Sequence, residues 1–267
     1  MRLKLMIGKA MPMRAIWTGT IGFGLVSIPV KLYSAVESSE LSFDMLDSRD
    51  HSRIRFSRIN ERTNKEVPFD QIVKGYKLND EYIIVEKSDL EKVAPEKTKE
   101  INIEGFIDLP DVNPMYFEKS YYTAPQTKNN KSYALLLESL KKSKKAGLAK
   151  FVLRNLESLV VVYPVKDVIV VNTIRFEQEI RDTSDLSIDT DVKLAKKELD
   201  MGIALVNSYV APFDVSQFKN EYPAELMKII EAKARGERPK IKKFKPKKPT
   251  GDLYDQLMSS LQMRKGA

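Results

Sequence analysis

The stretch IWTGTIGFGLVSIPVKLYSA, residues 16–35, holds three glycines and one proline and constrains the fold more than any other part of the chain. Two structures compete for it: a phosphate-cradling loop and a β-strand. Read as a strand, Trp17, Ile21, Phe23 and Leu25 share one face with Gly19, and Thr18, Thr20, Gly22, Gly24 and Val26 share the other. Period two with apolar and aromatic residues on one side predicts a half-buried strand. Glycines in such a strand mark a bulge or a close backbone approach, as at a barrel corner, and Pro29 places its site at an edge or a bulge. A phosphate loop needs a strand, a glycine turn and then a helix, usually with Gly-Lys-Ser/Thr. Here the glycines run into more β-branched sequence and that tripeptide is absent. The strand reading is therefore adopted.

Further strands are predicted at 53–59, 81–86, 101–108, 120–125, 148–154, 156–165 and 167–176, the last two joined as a hairpin through Pro164-Val165-Lys166-Asp167. Helices are predicted at 87–95, capped by Ser88 and stopped by Pro95, and at 132–147, capped by Ser132 and ended by Gly147. A long helix over 189–210 would align Val192, Leu194/Ala195, Leu199, Ile203 and Val206, and another covers 222–236. Many strands first and helices last predict a β-barrel followed by an α-helical C-terminal arm. The chain is 42% hydrophobic, enough for a sizeable core.

From Gly236 to Thr250 the character changes to GERPKIKKFKPKKPT, an extended, self-repelling linker. Beyond it Leu253, Leu257 and Leu261 fall at i, i+4 and i+8, with Tyr254 and Met258 alongside. A short helix of this kind is marginal alone, and its stripe is stranded unless something docks on it.

The net charge is +8, but it is unevenly placed. Residues 235–267 carry ten Lys/Arg against three acids and residues 1–12 carry three against none, which leaves the body, 13–234, at −2. The body is not basic throughout, so any polyanion it binds must meet positive charge gathered on one surface. No apolar run of about 18 residues suggests a membrane span. The Leu5–Ile7 patch is too short for a signal-peptide core. With no cysteine in the chain, these features fit a cytoplasmic protein. Residues 1–12 read as an appendage, since Met13 would serve equally well as a start.

Little in the sequence carries catalysis. Without cysteine, and with His51 as the single histidine, zinc clusters and Cys–His nucleophile pairs are excluded. His51 sits in the polar turn DSRDHSR and reads as a solvated loop residue. The acidic run 182–191 lacks the glycine and terminal glutamate of a calcium loop and reads as a turn with a helix cap. No catalytic residue, metal or cofactor is expected. The segment 49–77 holds eight Lys/Arg against four acids. In a strand at 53–58, Arg53 and Arg55 face one way, about 6.6 Å apart from the strand rise, against phosphates about 7 Å apart on a duplex strand. A solvated strand edge protected by charge explains the same pattern. Composition alone does not separate these two. Four lysines near the end of the helix in 140–150 are explained by the helix dipole alone.

Taken in order, MRAIWTGTIGFGLVSIPVKLYSA (13–35), RIRF (53–56), KEVPFDQIVKGYK (65–77), PMYFEKSYYTAP (114–125) and YALLLESL…GLAKFVLRNLESLVVVYP (133–164) resemble the bacterial Ku family over residues 13–236. PTGDLYDQLMSSL (249–261) is similar to that family's minimal C-terminal helix. The resemblance implies a mixed β and α fold: a core β-barrel at 13–180 with a DNA-encircling bridge at about 49–80, and a helical dimerisation arm at 181–236. The Lys/Pro-rich linker and ligase-recruiting helix fill 237–267. It implies a homodimeric ring that binds double-stranded DNA ends without sequence preference and recruits DNA ligase D for non-homologous end joining. By position, Arg53, Arg55, Arg58, Lys65, Lys74 and Lys77 would line the hole. The linker residues Lys240, Lys242, Lys243, Lys245, Lys247 and Lys248 would grip duplex beside the ring. Leu253, Tyr254, Leu257 and Leu261 would contact the ligase. Two departures stand out: the turn at 59–67, where many relatives carry cysteines, has none, and residues 1–12 fall outside the pattern. Two other function classes compete: a metal-dependent nuclease or nucleotidyl transferase using scattered carboxylates, and an RNA-binding or nucleoid-coating protein.

Overall fold

The computed structural model describes residues 13–95, 99–153, 156–189, 191–237, 257, 258 and 260. They form two units: residues up to Ser38 with Asp44–Asp182, and Ser39–Phe43 with Thr183 onward.

The first unit is built on a closed barrel. Its strands are β1 (Trp17–Phe23), β2 (Val26–Ser34), β5 (Glu100–Asp108), β6 (Phe117–Pro125), β7 (Lys145–Leu153), β8 (Leu156–Val165) and β9 (Val168–Ile174). Around the barrel the order is β1-β2-β6-β9-β8-β7-β5, antiparallel except where β1 and β5 meet in parallel to close it. A separate antiparallel ribbon pairs β3 (Lys74–Leu78) with β4 (Glu81–Val85). Helix α1 (Lys87–Val93) follows it.

The opening stretch is two strands, not one. Gly24 at φ +57 and Leu25 form a two-residue turn, and Phe23 pairs directly with Val26. Glycine at the first central position suits the positive φ of a hairpin turn. Such a turn shifts the alternation by one, so the buried side chains are Ile21, then Ile28, Val30 and Leu32, while Leu25 projects fully into solvent. The expected face containing Leu25 is thus corrected. The glycines do mark a close approach: a Cβ at Gly19 would collide with the Lys99 carbonyl and the Trp17 ring. That carbonyl accepts the Thr20 N–H at 2.8 Å, beside the three residue pairs that close β1 onto β5. Gly19→Val is therefore expected to destabilise by about 1–3 kcal/mol, as overpacking does. Urea unfolding of the variant checks this, and an unchanged midpoint would remove the close approach as the reason for the glycine.

Helix α2 (Lys131–Ser143) buries Tyr133, Leu136, Leu137 and Leu140. It packs against β2 on one side of the barrel and β7 and β8 on the other, so it spans one mouth. These side chains join Ile21, Ile101, Phe151, Val160, Val162 and Val171 in one core. Where the β6–β9 ladder stops after Tyr122↔Val170, side chains take over its hydrogen bonds. Tyr133 Oη accepts the Ile169 N–H at 3.0 Å, and Thr123 Oγ1 donates to the Ile169 carbonyl at 2.8 Å. Buried backbone groups are costly unless paired, and here a helix residue supplies the partner.

Several expected helix ends move. Helix α1 begins with Glu86 and Asp89 in a reciprocal capping box rather than with Ser88. Asn130 caps α2, accepting the Tyr133 N–H at 2.9 Å, in place of Ser132. The helix ends at Lys144 in the left-handed region at φ 55, and Gly147 lies inside β7. Helix α3 covers only Lys196–Ser208, because Glu198 reaches back to the Ala195 N–H at 2.8 Å and fixes the start there. Helix α4 covers Tyr222–Ala234. No helix among the described residues is long and apolar enough to cross a membrane.

Candidate nucleic-acid interface

Between β2 and β5 the chain leaves the barrel. From Ser48 to Val93 every residue except Val67 and Val85 is exposed. The expected strand at 53–59 is not there: its residues make only two isolated bridges, Leu46↔Arg53 and Ile59↔Glu66. Each bridge closes a small local loop. In the first, Asp47 and Ser52 join at 2.8 Å and Ile54 N–H reaches the Met45 carbonyl at 2.9 Å. In the second, Asn60 N–H reaches the Lys65 carbonyl at 2.9 Å and Val67 N–H the Arg58 carbonyl at 2.7 Å. The Asn60 side chain accepts from the Arg62 and Thr63 N–H groups at 3.0 Å, and Asn64 takes a positive φ of 53. The bonds of these loops are local, and residues 54–58 run between them with no partner strand among the described residues.

This changes how the cations are displayed. Arg53 sits at the base of the first loop, paired with Asp44 at 2.6 Å in an exposed ion pair. Such pairs are worth about 0.2–1 kcal/mol, so the arginine is readily released to another anion. Arg49 makes a tighter fork on Asp47, whose carboxyl it holds below the usual range by side-chain hydrogen bonding. Arg55 lies on the connecting stretch and has no acidic partner among the described residues. Arg58 lies over the Phe69 ring, 5.2 Å from its centre. This cation–π contact orients the guanidinium without neutralising it. Lys65 closes the second loop through its backbone and keeps its ammonium exposed.

Lys74 and Lys77 are separated on the β3–β4 ribbon. Three positions apart on one strand, they face opposite sides, and Lys77 also holds Asp80 at 2.8 Å. Of the six residues read from the sequence, Arg55, Arg58, Lys65 and Lys74 thus carry exposed charge that no acid among the described residues offsets. Arg62, on the turn of the second loop, belongs with them and was overlooked. Its signal lay in the basic count of 49–77. On and beside the barrel, Lys141 holds Glu138 and Asp167 at 3.3 Å each, Lys145 holds Asp108 at 2.6 Å and Lys150 holds Glu104 at 3.6 Å.

Large apolar side chains accompany these cations. Phe56, Phe69, Val73, Tyr76, Tyr82 and Ile84 are each at least 60% exposed, far more apolar surface than a free excursion would carry. His51 lies in the first loop at φ 60, its N–H on the Asp47 carbonyl at 2.8 Å. Among the described residues no three His, Cys, Asp or Glu side chains gather closely enough to hold a metal ion. The six linker lysines, Lys240, Lys242, Lys243, Lys245, Lys247 and Lys248, fall outside the described residues, as do Leu253, Tyr254 and Leu261. Leu257 is described, helical and half-buried.

Fold and excursion together define a closed β-barrel protein that displays unpaired cations on the chain between two of its strands. The family described as the Ku70/Ku80 beta-barrel domain matches residues 22–201, and the chain belongs to the Ku family. It is 42% identical over 230 residues to a protein of Coxiella burnetii, covering 84% of each chain. It is 37% identical over 254 residues to one of Opitutus terrae, covering 93% of this chain and 91% of that one. With one of Pseudomonas aeruginosa the identity is 33% over 262 residues, covering 95% and 89%. All three relatives bear the name non-homologous end joining protein Ku.

Proposed function

We propose that two copies of this chain close a ring that threads onto double-stranded DNA ends without reading sequence. The ring then presents the end to an ATP-dependent ligase of the ligase D type, for repair by non-homologous end joining in the cytoplasm. The domains follow the sequence reading: barrel and bridge to residue 180, dimerisation arm to 236, linker and ligase helix beyond. The relatives' names support end joining. The carrying observation is the exposed excursion at 48–93, where unneutralised cations stand beside apolar side chains that need a cover. A second copy supplies the cover, and DNA meets the cations.

The charge distribution suits a ring. A body at −2 would hold a polyanion poorly by net charge. A closed ring resists escape by topology, so it needs only a modest set of lining cations. Their contacts go to phosphates and release counterions, which binds every sequence alike. The protein acts by binding, with no chemical step of its own.

Loading onto a linear duplex and onto the same DNA as a covalently closed circle tests this reading. After loading, the linear ends are capped and the salt is raised. Complexes are expected to persist on the capped linear DNA and to be absent from the circle. Equal binding to both, released from both by salt, would mean surface electrostatics and no ring.

A further inference from the structure

Helix α3, with Leu194 just before it, presents an apolar groove of about 440 Å³, formed by Leu194, Leu199, Gly202, Ile203 and Val206. Leu199 and Ile203 are half exposed and Val206 more so, so α3 does not bury this stripe within the described residues. The remaining apolar side chain lining the groove is Leu257, far along the chain. Leu257, Met258 and Ser260 are helical. Leu257 and Ser260, three apart and therefore on one side of a helix, are both half-buried, while Met258 between them is exposed. This is the pattern of a helix lying with its Leu257 side down. Besides Leu257, the groove is lined among the described residues by Leu194 just before α3 and by Glu198, Leu199, Gly202, Ile203 and Val206 of α3, so it is against this segment that Leu257 lies.

We propose that the α3 groove is the resting seat of the C-terminal helix of the same chain, which places Leu257 out of reach of a partner until the helix is lifted away. A helix this short is unstable in isolation, and an apolar seat supplies the contacts that order it. The seat and the proposed dimer need not compete. Val210, Phe213, Val215 and Phe218, beyond the end of α3, are two-thirds or more exposed and lie outside the groove. The seat itself does not depend on the ligase reading; its consequence, a docking helix held in reserve, does.

The chain contains no cysteine, so an introduced pair reports a single disulfide. Val206→Cys with Leu257→Cys, and separately Ile203→Cys with Leu257→Cys, would be oxidised gently in the full-length, DNA-free protein. Ala204→Cys with Leu257→Cys is the control, since Ala204 lies about 200° around the helix from Val206. All three α3 positions are exposed, so the fold tolerates them. Non-reducing denaturing electrophoresis separates an intrachain link, which runs as a monomer, from an interchain one. The expected result is intrachain linkage at Val206 or Ile203 at least tenfold faster than at Ala204. Equal rates at all three positions, no linkage, or linkage only between chains would overturn the seat. Ligase binding to the wild-type protein is measured separately. Its absence would sink the ligase reading and leave a cross-linked seat standing, whereas ligase binding without the cross-link would sink the seat alone.

Discussion

Replacing Arg55, Arg58 and Lys65 together with alanine is expected to weaken binding to a blunt duplex by about 10⁵-fold at 0.1 M salt while leaving the fold intact. Each phosphate contact contributes about 0.9 to the slope of log K against log salt, so three contacts on each of the ring's two chains contribute about 5.4. Between 1 M and 0.1 M salt that slope is worth about 10⁵-fold. The three side chains suit the experiment because they are exposed and no acid among the described residues neutralises them. Removing them leaves no orphaned carboxylate and no cavity. The barrel provides the comparison. Lys141, Lys145 and Lys150 are each engaged with acids, and replacing these three is expected to leave the salt slope unchanged. Titrations of each variant at four or five salt concentrations would decide the matter. A bridge triple with the wild-type slope would place DNA elsewhere, and the candidate interface would be wrong.

How much of this was legible in the sequence depends on whether the information was local. The barrel strands from β5 onward were read within a few residues, because half-buried or buried strands between turn residues are a local signal. The Lys166-Asp167 turn between β8 and β9 was readable for the same reason. The opening hairpin was harder. Gly24-Leu25 lacks the Asn-Gly signature, and alternation continues on either side of it, displaced by one. The end of α2 was missed because a lysine takes the left-handed residue where glycine is the usual marker. Residues 53–59 failed for a different reason. Period two indicates which side chains share a face but not whether a neighbouring strand exists, and among the described residues none does. Charge in 49–77 could be counted from the sequence, whereas which cations are neutralised could not. That depends on Asp44 reaching Arg53 and Asp80 reaching Lys77, side-chain geometry no pattern encodes.

Phe151→Ala is expected to be the most damaging single core change, at about 3–5 kcal/mol, the range for truncating a buried aromatic. Phe151 is 1% exposed on β7, where it pairs with Ile101 of β5 and Ser158 of β8. Its ring meets Trp17 edge to face, with centroids 5.4 Å apart and planes at 87°. Trp17 opens β1, so this contact lies across the seam where β1 and β5 close the barrel through three residue pairs. Few backbone bonds hold that seam, and side-chain packing must carry more of the closure than elsewhere in the ladder. Domains are stable by about 5–15 kcal/mol, so the loss takes a large share of the whole. The midpoint should fall by roughly 2–4 °C per kcal/mol in a chain of this size. A double-mutant cycle with Trp17→Ala isolates the ring pair, expected at about 0.5–1.5 kcal/mol beyond the buried area. Leu135→Ala, on the 61% exposed face of α2, serves as the reference and should stay within about 0.5 kcal/mol of wild type. Calorimetry showing Phe151→Ala no worse than Leu135→Ala would mean that the seam closes without this contact, and the backbone pairs alone would then account for the closed barrel.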